Sequence, residues 1–326
     1  MALRGLEIEM SLSAANIPPR IAPVSTDDPR PLWSVMIPTF NCAKYLRQTL
    51  ESVLAQDPGP AQMQIEVIDD YSTLDDPEAV VREVAGSRVA FYRKPRNEGA
   101  IANFNSCIGH SRGHLVHILH GDDYVLPGFY SRLTQVAQEY PSLAAFFVRC
   151  QIVNETGTVD VLTKRLEYLE QSGRDAGELF DHNDLATPGV VMRRDFYEKS
   201  GGFLPPLVHC ADWEMWVRGI QEGGGLFINE VLAAYRFFPG NDTSRLRRSG
   251  ETFRDNLRLA AIWQRQYKCF NRARFERIVA ARALELSKQY REKNDMEAAA
   301  ANRKIWLELT PLFRRIAKTL LAPFRG

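Results

Sequence analysis

The segment LVHILHGDDYVLPG, Leu115 to Gly128, places two adjacent carboxylates, Asp122 and Asp123, behind Gly121 and between two apolar runs. Aspartate is seldom buried unless it is paired or bound to a metal. Two of them at the end of a strand suit a hard divalent cation, Mn2+ or Mg2+, shared between a carboxylate and the phosphate oxygens of a pyrophosphate-bearing substrate. They equally suit a solvated surface turn. A second acidic loop, IDDYS at residues 68–72, ends another apolar run. Asp70 there can accept hydrogen bonds from a nucleoside base or ribose, or serve as a helix cap or turn residue. The chain has neither GxGxxG nor GxxxxGK[ST], so a bound phosphate must be held by another device.

The elements that carry these loops read as an α/β alternation. WSVMI, from Trp33, is a short β-prone run broken by PTFN, and Tyr45, Leu46, Thr49, Leu50, Val53 and Leu54 then recur at the spacing of one helix face. IEVI (65–68), a helix through about Ala85, VAFY (89–92), a helix in NEGAIANFNSCIGHSRG, LVHIL and AAFFV (144–148) repeat the pattern. Such alternation implies a parallel, doubly wound sheet, whose ligands bind at the carboxyl ends of the strands. Those ends carry PTFN, DDYST, RNEGA and HGDD.

Beyond residue 150 the alternation fades, and from Glu251 onward the chain reads as mainly helical. Residues 1–30 read as a loose arm. The last 26 residues hold six Lys or Arg against one acid, Glu308, beside apolar Trp306, Leu309, Leu312, Phe313, Ile316, Leu320 and Leu321. That composition suits either a helix resting on an anionic membrane surface or one packed on protein.

At 326 residues, 45% hydrophobic and 25% charged, the chain has ordinary globular composition. Its net charge of +1 gives no sign of a nucleic-acid partner. Five widely spaced cysteines without a CxxC pair fit a reducing cytoplasm, and the N-terminus has acids where a signal peptide needs an apolar stretch. No run approaches the roughly 18 apolar residues of a membrane-spanning helix. His110, His114, His117 and His120 fall close together, but strand alternation puts His117 and His120 on opposite faces, which argues against a zinc cluster.

Taken as an ordered set, SVMIPTFNCAKYLRQTLESVLAQ, IEVIDDYST, RNEGAIANFNSCI and HILHGDDYVLPG resemble glycosyltransferase family 2, and the likeness continues through TPGVVMRRDFYEKSGGF, CADWEMWVR and AAYRFFPGNDTS. It covers roughly residues 33–245. The resemblance implies a GT-A fold, a mostly parallel Rossmann-like sheet flanked by helices, at 31–245. Residues 31–125 would form its nucleotide-binding half and 126–245 its acceptor half, with a helical extension at 246–326. It further implies an inverting enzyme that moves a sugar from a nucleotide diphosphate donor, expected to be a UDP-sugar, to a saccharide or lipid-linked saccharide acceptor. Surface polysaccharide or glycolipid assembly at the inner face of the membrane is the expected setting.

By that resemblance Pro38, Thr39 and Asn41 line the base, Asp70 holds the uracil or ribose, and Asn97 and Gly99 border the diphosphate. Asp122 is the metal-binding carboxylate of a DXD-like motif, and Asp123 supports that loop or touches the donor sugar. Asp212 matches the catalytic base, whose chemistry is to take the proton of the attacking acceptor hydroxyl, although an aspartate there also suits a helix cap. Glu214, two residues along the same helix, points away from it. Trp213 is a candidate platform for a sugar ring and Trp216 a core residue, while Arg236 and Arg218 can offset diphosphate charge or make structural pairs. Two departures stand out: His120 occupies the place of a first acid, and Tyr71 the place of a common glycine.

The rival readings are a catalytically inactive sugar- or partner-binding protein and a sugar-phosphate nucleotidyltransferase. PTFNCAKYL lacks the Gly-rich basic loop that the latter needs.

Overall fold

The computed structural model describes residues 17–25 and 29–310. The chain divides into two compact units, one of residues 1–206 and 211–237, the other of 207–210 and 238–326.

In the first unit, β1 (Trp33–Thr39) is buried at all seven positions, polar Ser34 and Thr39 included, as a mostly apolar strand covered on both faces requires. Its neighbours are β2 (Met63–Asp69) and β4 (Leu115–Ile118), and β2 also pairs with β3 (Ala90–Arg93), all in parallel. Three crossover helices, α1 (Ala43–Leu54), α2 (Pro77–Ala85) and α3 (Ala100–His110), connect them. Along α1 the buried residues are Leu46, Thr49, Leu50 and Val53, the face expected from their spacing. In α2, Asp76 caps the Ala79 N–H and Pro77 occupies the first turn, where its missing N–H costs nothing.

The remainder of the sheet is mixed. It comprises β5 (Tyr124–Val125), β6 (Ala145–Val153), β7 (Val159–Leu162), β8 (Val190–Arg193) and β9 (Gly225–Arg236), with helices α4 (Phe129–Glu139), α5 (Arg194–Ser200) and α6 (Ala211–Arg218). The strand order is β3-β2-β1-β4-β8-β6-β9-β5, with β7 on β6. β8 runs antiparallel between β4 and β6, while β6 and β9 are parallel across two register shifts. The core lies between this sheet and α1, α2 and α4.

Part of the N-terminal arm, expected to be loose, is an extended segment packed on the first unit. Ile21 is buried, Gly202 N–H donates to the Pro19 carbonyl at 2.9 Å, and Arg194 Nη2 donates to the Ala22 carbonyl at 3.1 Å. Residues 1–16 and 26–28 of the arm lie outside the described residues.

The second unit holds α7 (Asp242–Ser249), α8 (Glu251–Gln266), α9 (Arg272–Glu292) and α10 (Met296–Leu309), and Trp263 of α8 meets Phe270 and Phe275 edge-on at the α8–α9 junction. The buried Asp255 carboxylate accepts the N–H groups of Val208, His209 and Cys210 at 3.0, 2.7 and 2.8 Å, which explains why that short segment belongs to this unit. At the end of the chain, Ile305 and Trp306 are buried and Arg303 and Lys304 exposed, while residues 311–326 lie outside the described residues. Among the described residues no helix is long and apolar enough to cross a membrane.

Candidate active site

The carboxyl ends of β1, β2, β3 and β4 are stitched together beyond their ladders. Gly121 N–H donates to the Pro38 carbonyl at 3.1 Å, Asp70 N–H to the Thr39 carbonyl at 2.9 Å, and Lys94 N–H to the Asp69 carbonyl at 2.8 Å. The four loops singled out in the sequence are thereby held along one edge. Gly121 has to be small: a Cβ there would lie 2.7 Å from Thr39 Cγ2 and 2.8 Å from Cys42 Sγ. Burial, reinforced by Asp122, pushes the Cys42 thiol up, so it stays protonated.

Each loop is fixed by its own polar side chains. Asn41, at φ +50°, accepts the N–H groups of Thr73 and Leu74 on its Oδ1 and donates its own N–H to Ser72 Oγ. Tyr71 sits at φ +66° and is 45% exposed. The left-handed backbone is the reason glycine suits this place, since a side chain there costs of order 1–2 kcal/mol. Asp70 is buried and anchors the next loop: its carboxylate accepts Glu98 N–H at 3.1 Å and Gly99 N–H at 2.8 Å and pairs with Lys94 Nζ at 3.0 Å. Asn97 Nδ2 donates to the Asp70 carbonyl at 3.2 Å.

The paired carboxylates differ in surroundings. Asp122 is half-buried and Asp123 is 1% exposed. Thr49 Oγ1 reaches the carbonyls of Gly121 and Asp123 at 3.0 and 2.7 Å, tying the turn to α1. Asp123 Oδ1 accepts Arg236 N–H at 2.8 Å, whereas Oδ2 is buried with no hydrogen-bond partner. Burial, and then the neighbouring Asp122, push the Asp123 carboxyl well above the usual carboxylate range. A buried oxygen without a donor is what a cation would complete. A nitrogen of His120 and one carboxylate oxygen each of Asp122 and Asp123 lie within 4.8 Å of one another. The residues present therefore fit a divalent ion.

Arg236 has a role that sequence alone did not assign. It is buried, with Nε donating to the Asp122 carbonyl at 3.0 Å, Nη1 to the carbonyls of Asn154 and Glu155, and Nη2 to Gln48 Oε1 at 2.6 Å. Those bonds make it a clamp on the Asp122–Asp123 turn. Trp213 is the candidate sugar platform. It is buried and its indole N–H donates to the Leu179 carbonyl at 2.6 Å. Arg218 pairs with Glu214 at 2.9 Å, both within the core, and Trp216 is buried as expected.

Asp212 lies half-buried in the first turn of α6, where the helix dipole favours an anion. Its Oδ1 accepts Trp213 N–H at 2.6 Å, and Oδ2 lies 3.4 Å from Thr187 Oγ1. The next residue, Pro188, is held from β4: its carbonyl lies 3.0 Å from His117 Nε2, and His117 Nδ1 lies 3.2 Å from Tyr130 Oη. Because a carbonyl only accepts, His117 carries its proton on Nε2 and accepts a hydrogen bond from the Tyr130 hydroxyl on Nδ1. Burial holds this imidazole at about 3, down from 6.5. Between these values the unfolded chain binds a proton that the folded chain refuses. The stability that His117 contributes is thus present above pH 6.5 and lost as pH falls towards 3, with a limiting slope of about 1.4 kcal/mol per pH unit. Urea midpoints between pH 7 and 5 should therefore fall less steeply for His117→Phe than for the parent, and equal slopes would overturn this assignment.

Comparison with known proteins agrees with the geometry. The family model for Glycosyl transferase family 2 matches residues 34–201. An uncharacterised Mycobacterium tuberculosis protein is 25% identical over 248 residues, 72% of this chain and 76% of that one. A Mycobacterium bovis protein, 28% identical, is spanned over 58% of its length. An uncharacterised glycosyltransferase of Mycoplasma genitalium is 27% identical over 222 residues, 65% of this chain and 70% of that one. Among solved structures, Staphylococcus aureus TarS 1–349 in complex with UDP-GlcNAc superposes at a TM-score of 0.54 and 14% identity, covering 85% of this chain and 91% of its own. A mannosyltransferase of Pyrobaculum calidifontis, in complex with GDP-Man and Mn2+, superposes at 0.52 and 16% identity, covering 99% and 87%. These two likenesses speak to the GT-A fold. With the matched family spanning β1 through α5 and the ordered loops at the carboxyl ends of the parallel strands, the chain belongs to glycosyl transferase family 2 and is a glycosyltransferase.

Proposed function

We propose that this enzyme is an inverting glycosyltransferase that uses a nucleotide diphosphate sugar, a UDP-sugar first among the candidates, with Mn2+ or Mg2+ as its cation. The observation that carries the reading is the His120, Asp122 and Asp123 group at the carboxyl end of β4, with a buried Asp123 oxygen that lacks a donor. TarS with UDP-GlcNAc and the mannosyltransferase with GDP-Man and Mn2+ support the same class of donor.

In this reading Pro38, Thr39, Asn41 and Asp70 surround the base and ribose, with Asp70 acting partly through the loop it anchors, and Asn97 and Gly99 border the diphosphate. Asp122 meets the cation, and Asp123 completes that set. A bound cation would neutralise charge on the departing diphosphate. Asp212 takes the proton of the acceptor hydroxyl as its oxygen forms a bond to the anomeric carbon, while the bond from that carbon to the phosphate oxygen breaks and its electron pair leaves with the nucleotide diphosphate. Arg236 fixes the turn, and the Thr187–Pro188 segment fixes Asp212. The acceptor is a saccharide or lipid-linked saccharide in surface polysaccharide or glycolipid assembly, with residues 301–326 as a contact for an anionic membrane on the cytoplasmic side.

Calorimetric titration with UDP, GDP, dTDP and CDP, each with Mn2+ and with chelator, tests the reading. One nucleotide is expected to bind only with the ion, and Asp122→Ala to abolish that binding. Failure of all four to bind with either addition would overturn this assignment of donor and cation.

A further inference from the structure

The cation set contains a nitrogen, that of His120, in the place of a first acid, and the surroundings of that nitrogen are specific. His120 lies beyond the last residue of β4, in the turn. Its ring stacks on Phe104 of α3, with centroids 5.0 Å apart and planes 13° from parallel, and Phe104 is itself wedged edge-on against Phe203 at 5.6 Å. Stacking of this kind fixes the plane of the imidazole, and a ligand lone pair lies in that plane. His120 Nδ1 faces Asp123 Oδ2 at 3.6 Å. That separation is too long for a hydrogen bond, and Oδ2 has no hydrogen-bond partner. Two ligand atoms that face each other without bonding, one of them on a carboxylate 1% exposed, can both reach a single ion.

We propose that His120 is a direct nitrogen ligand of the cation, in a mixed set with Asp122 and Asp123, and that it biases the site away from Mg2+ towards Mn2+ and later first-row ions. The inference rests on the donor-complex reading above and deepens it. Mg2+ favours an all-oxygen octahedron, whereas imidazole raises affinity along the series from Mn2+ through Co2+ to Ni2+. A ring held by Phe104 reaches the ion without an ordering cost on binding, which strengthens the bias.

The test uses the full chain loaded with Mn2+, with and without UDP. Pulsed EPR of the wild-type protein is expected to detect a directly bound imidazole nitrogen, and His120→Gln to remove that coupling. Calorimetry should find the preference for Mn2+ over Mg2+ reduced in His120→Gln by at least about tenfold, the scale on which even an outer contact to a metal ligand acts. His120→Asp, which substitutes an oxygen donor of opposite charge, should move the preference the same way while Mg2+ binding persists. If wild-type protein binds Mn2+ and nucleotide but has no nitrogen coupling, or if both variants keep the parental ion preference, His120 is not a ligand and the donor reading survives. If wild-type protein binds no ion with or without UDP, both are overturned.

Discussion

Asp212→Asn is expected to lower turnover by about 10²–10⁴-fold, the range over which a positioned general base acts, while the nucleotide and its cation bind as before. The amide keeps an oxygen to accept Trp213 N–H and retains the size of the side chain, so the first turn of α6 should survive. What is lost is the capacity to hold the acceptor proton. The measurement is initial-rate sugar transfer beside calorimetric nucleotide affinity on the same preparations. Unchanged turnover would reduce Asp212 to a helix-end residue, and a mutual loss of rate and affinity would assign it to structure.

Two residues further on, the same helix gives the opposite outcome. Glu214→Ala is expected to destabilise the protein by about 3–5 kcal/mol, because it strands a buried guanidinium. Glu214 is 0% exposed and its carboxylate receives Arg218 Nε at 2.9 Å and Nη2 at 3.1 Å. Arg218 also donates to the carbonyls of Ser200, Gly201 and Gly202, so the pair locks the end of α5 to α6. Burial raises the Glu214 carboxyl, against the pull of Arg218, and the ionised pair is favoured only while the guanidinium is in place. Urea unfolding of Glu214→Ala and of Glu214→Gln measures the effect. The amide retains one acceptor and should lose less, and equal losses would show that charge is irrelevant there.

Between Trp33 and Asp123 the sequence is readable because each strand, loop and helix is made by neighbouring residues. The helix face of α1 and the placement of PTFN, DDYST, RNEGA and HGDD follow from periodicity and turn chemistry alone. The second half resists because its partners are distant. Neither β5, with two residues, nor the twelve-residue β9 with its shifted register announces itself by alternation.

The site shows the same division. Adjacent carboxylates are visible as letters, but an arginine 113 positions downstream that clamps them is not. His120 was separable from His117 by parity, and the structure sends His117 to the core and His120 to the turn. The stack on Phe104 and the approach to Asp123 Oδ2 show how the second histidine is held. Trp213 illustrates the limit of composition, since an indole near a candidate base gives no sign of which way it points.

The bond from Arg236 to Asp123 also has a temporal meaning. The parallel ladders of β1 to β4 use residues 33–118, so a growing chain holds all their strands long before β9 is made. The turn that carries the two aspartates is therefore synthesised early and secured late, after a loop of more than a hundred residues has closed at its entropic cost. The bond that Asp123 accepts is in this way tied to completion of β9, and a chain cut short before residue 225 lacks the Arg236 N–H donor even with the whole parallel half in hand.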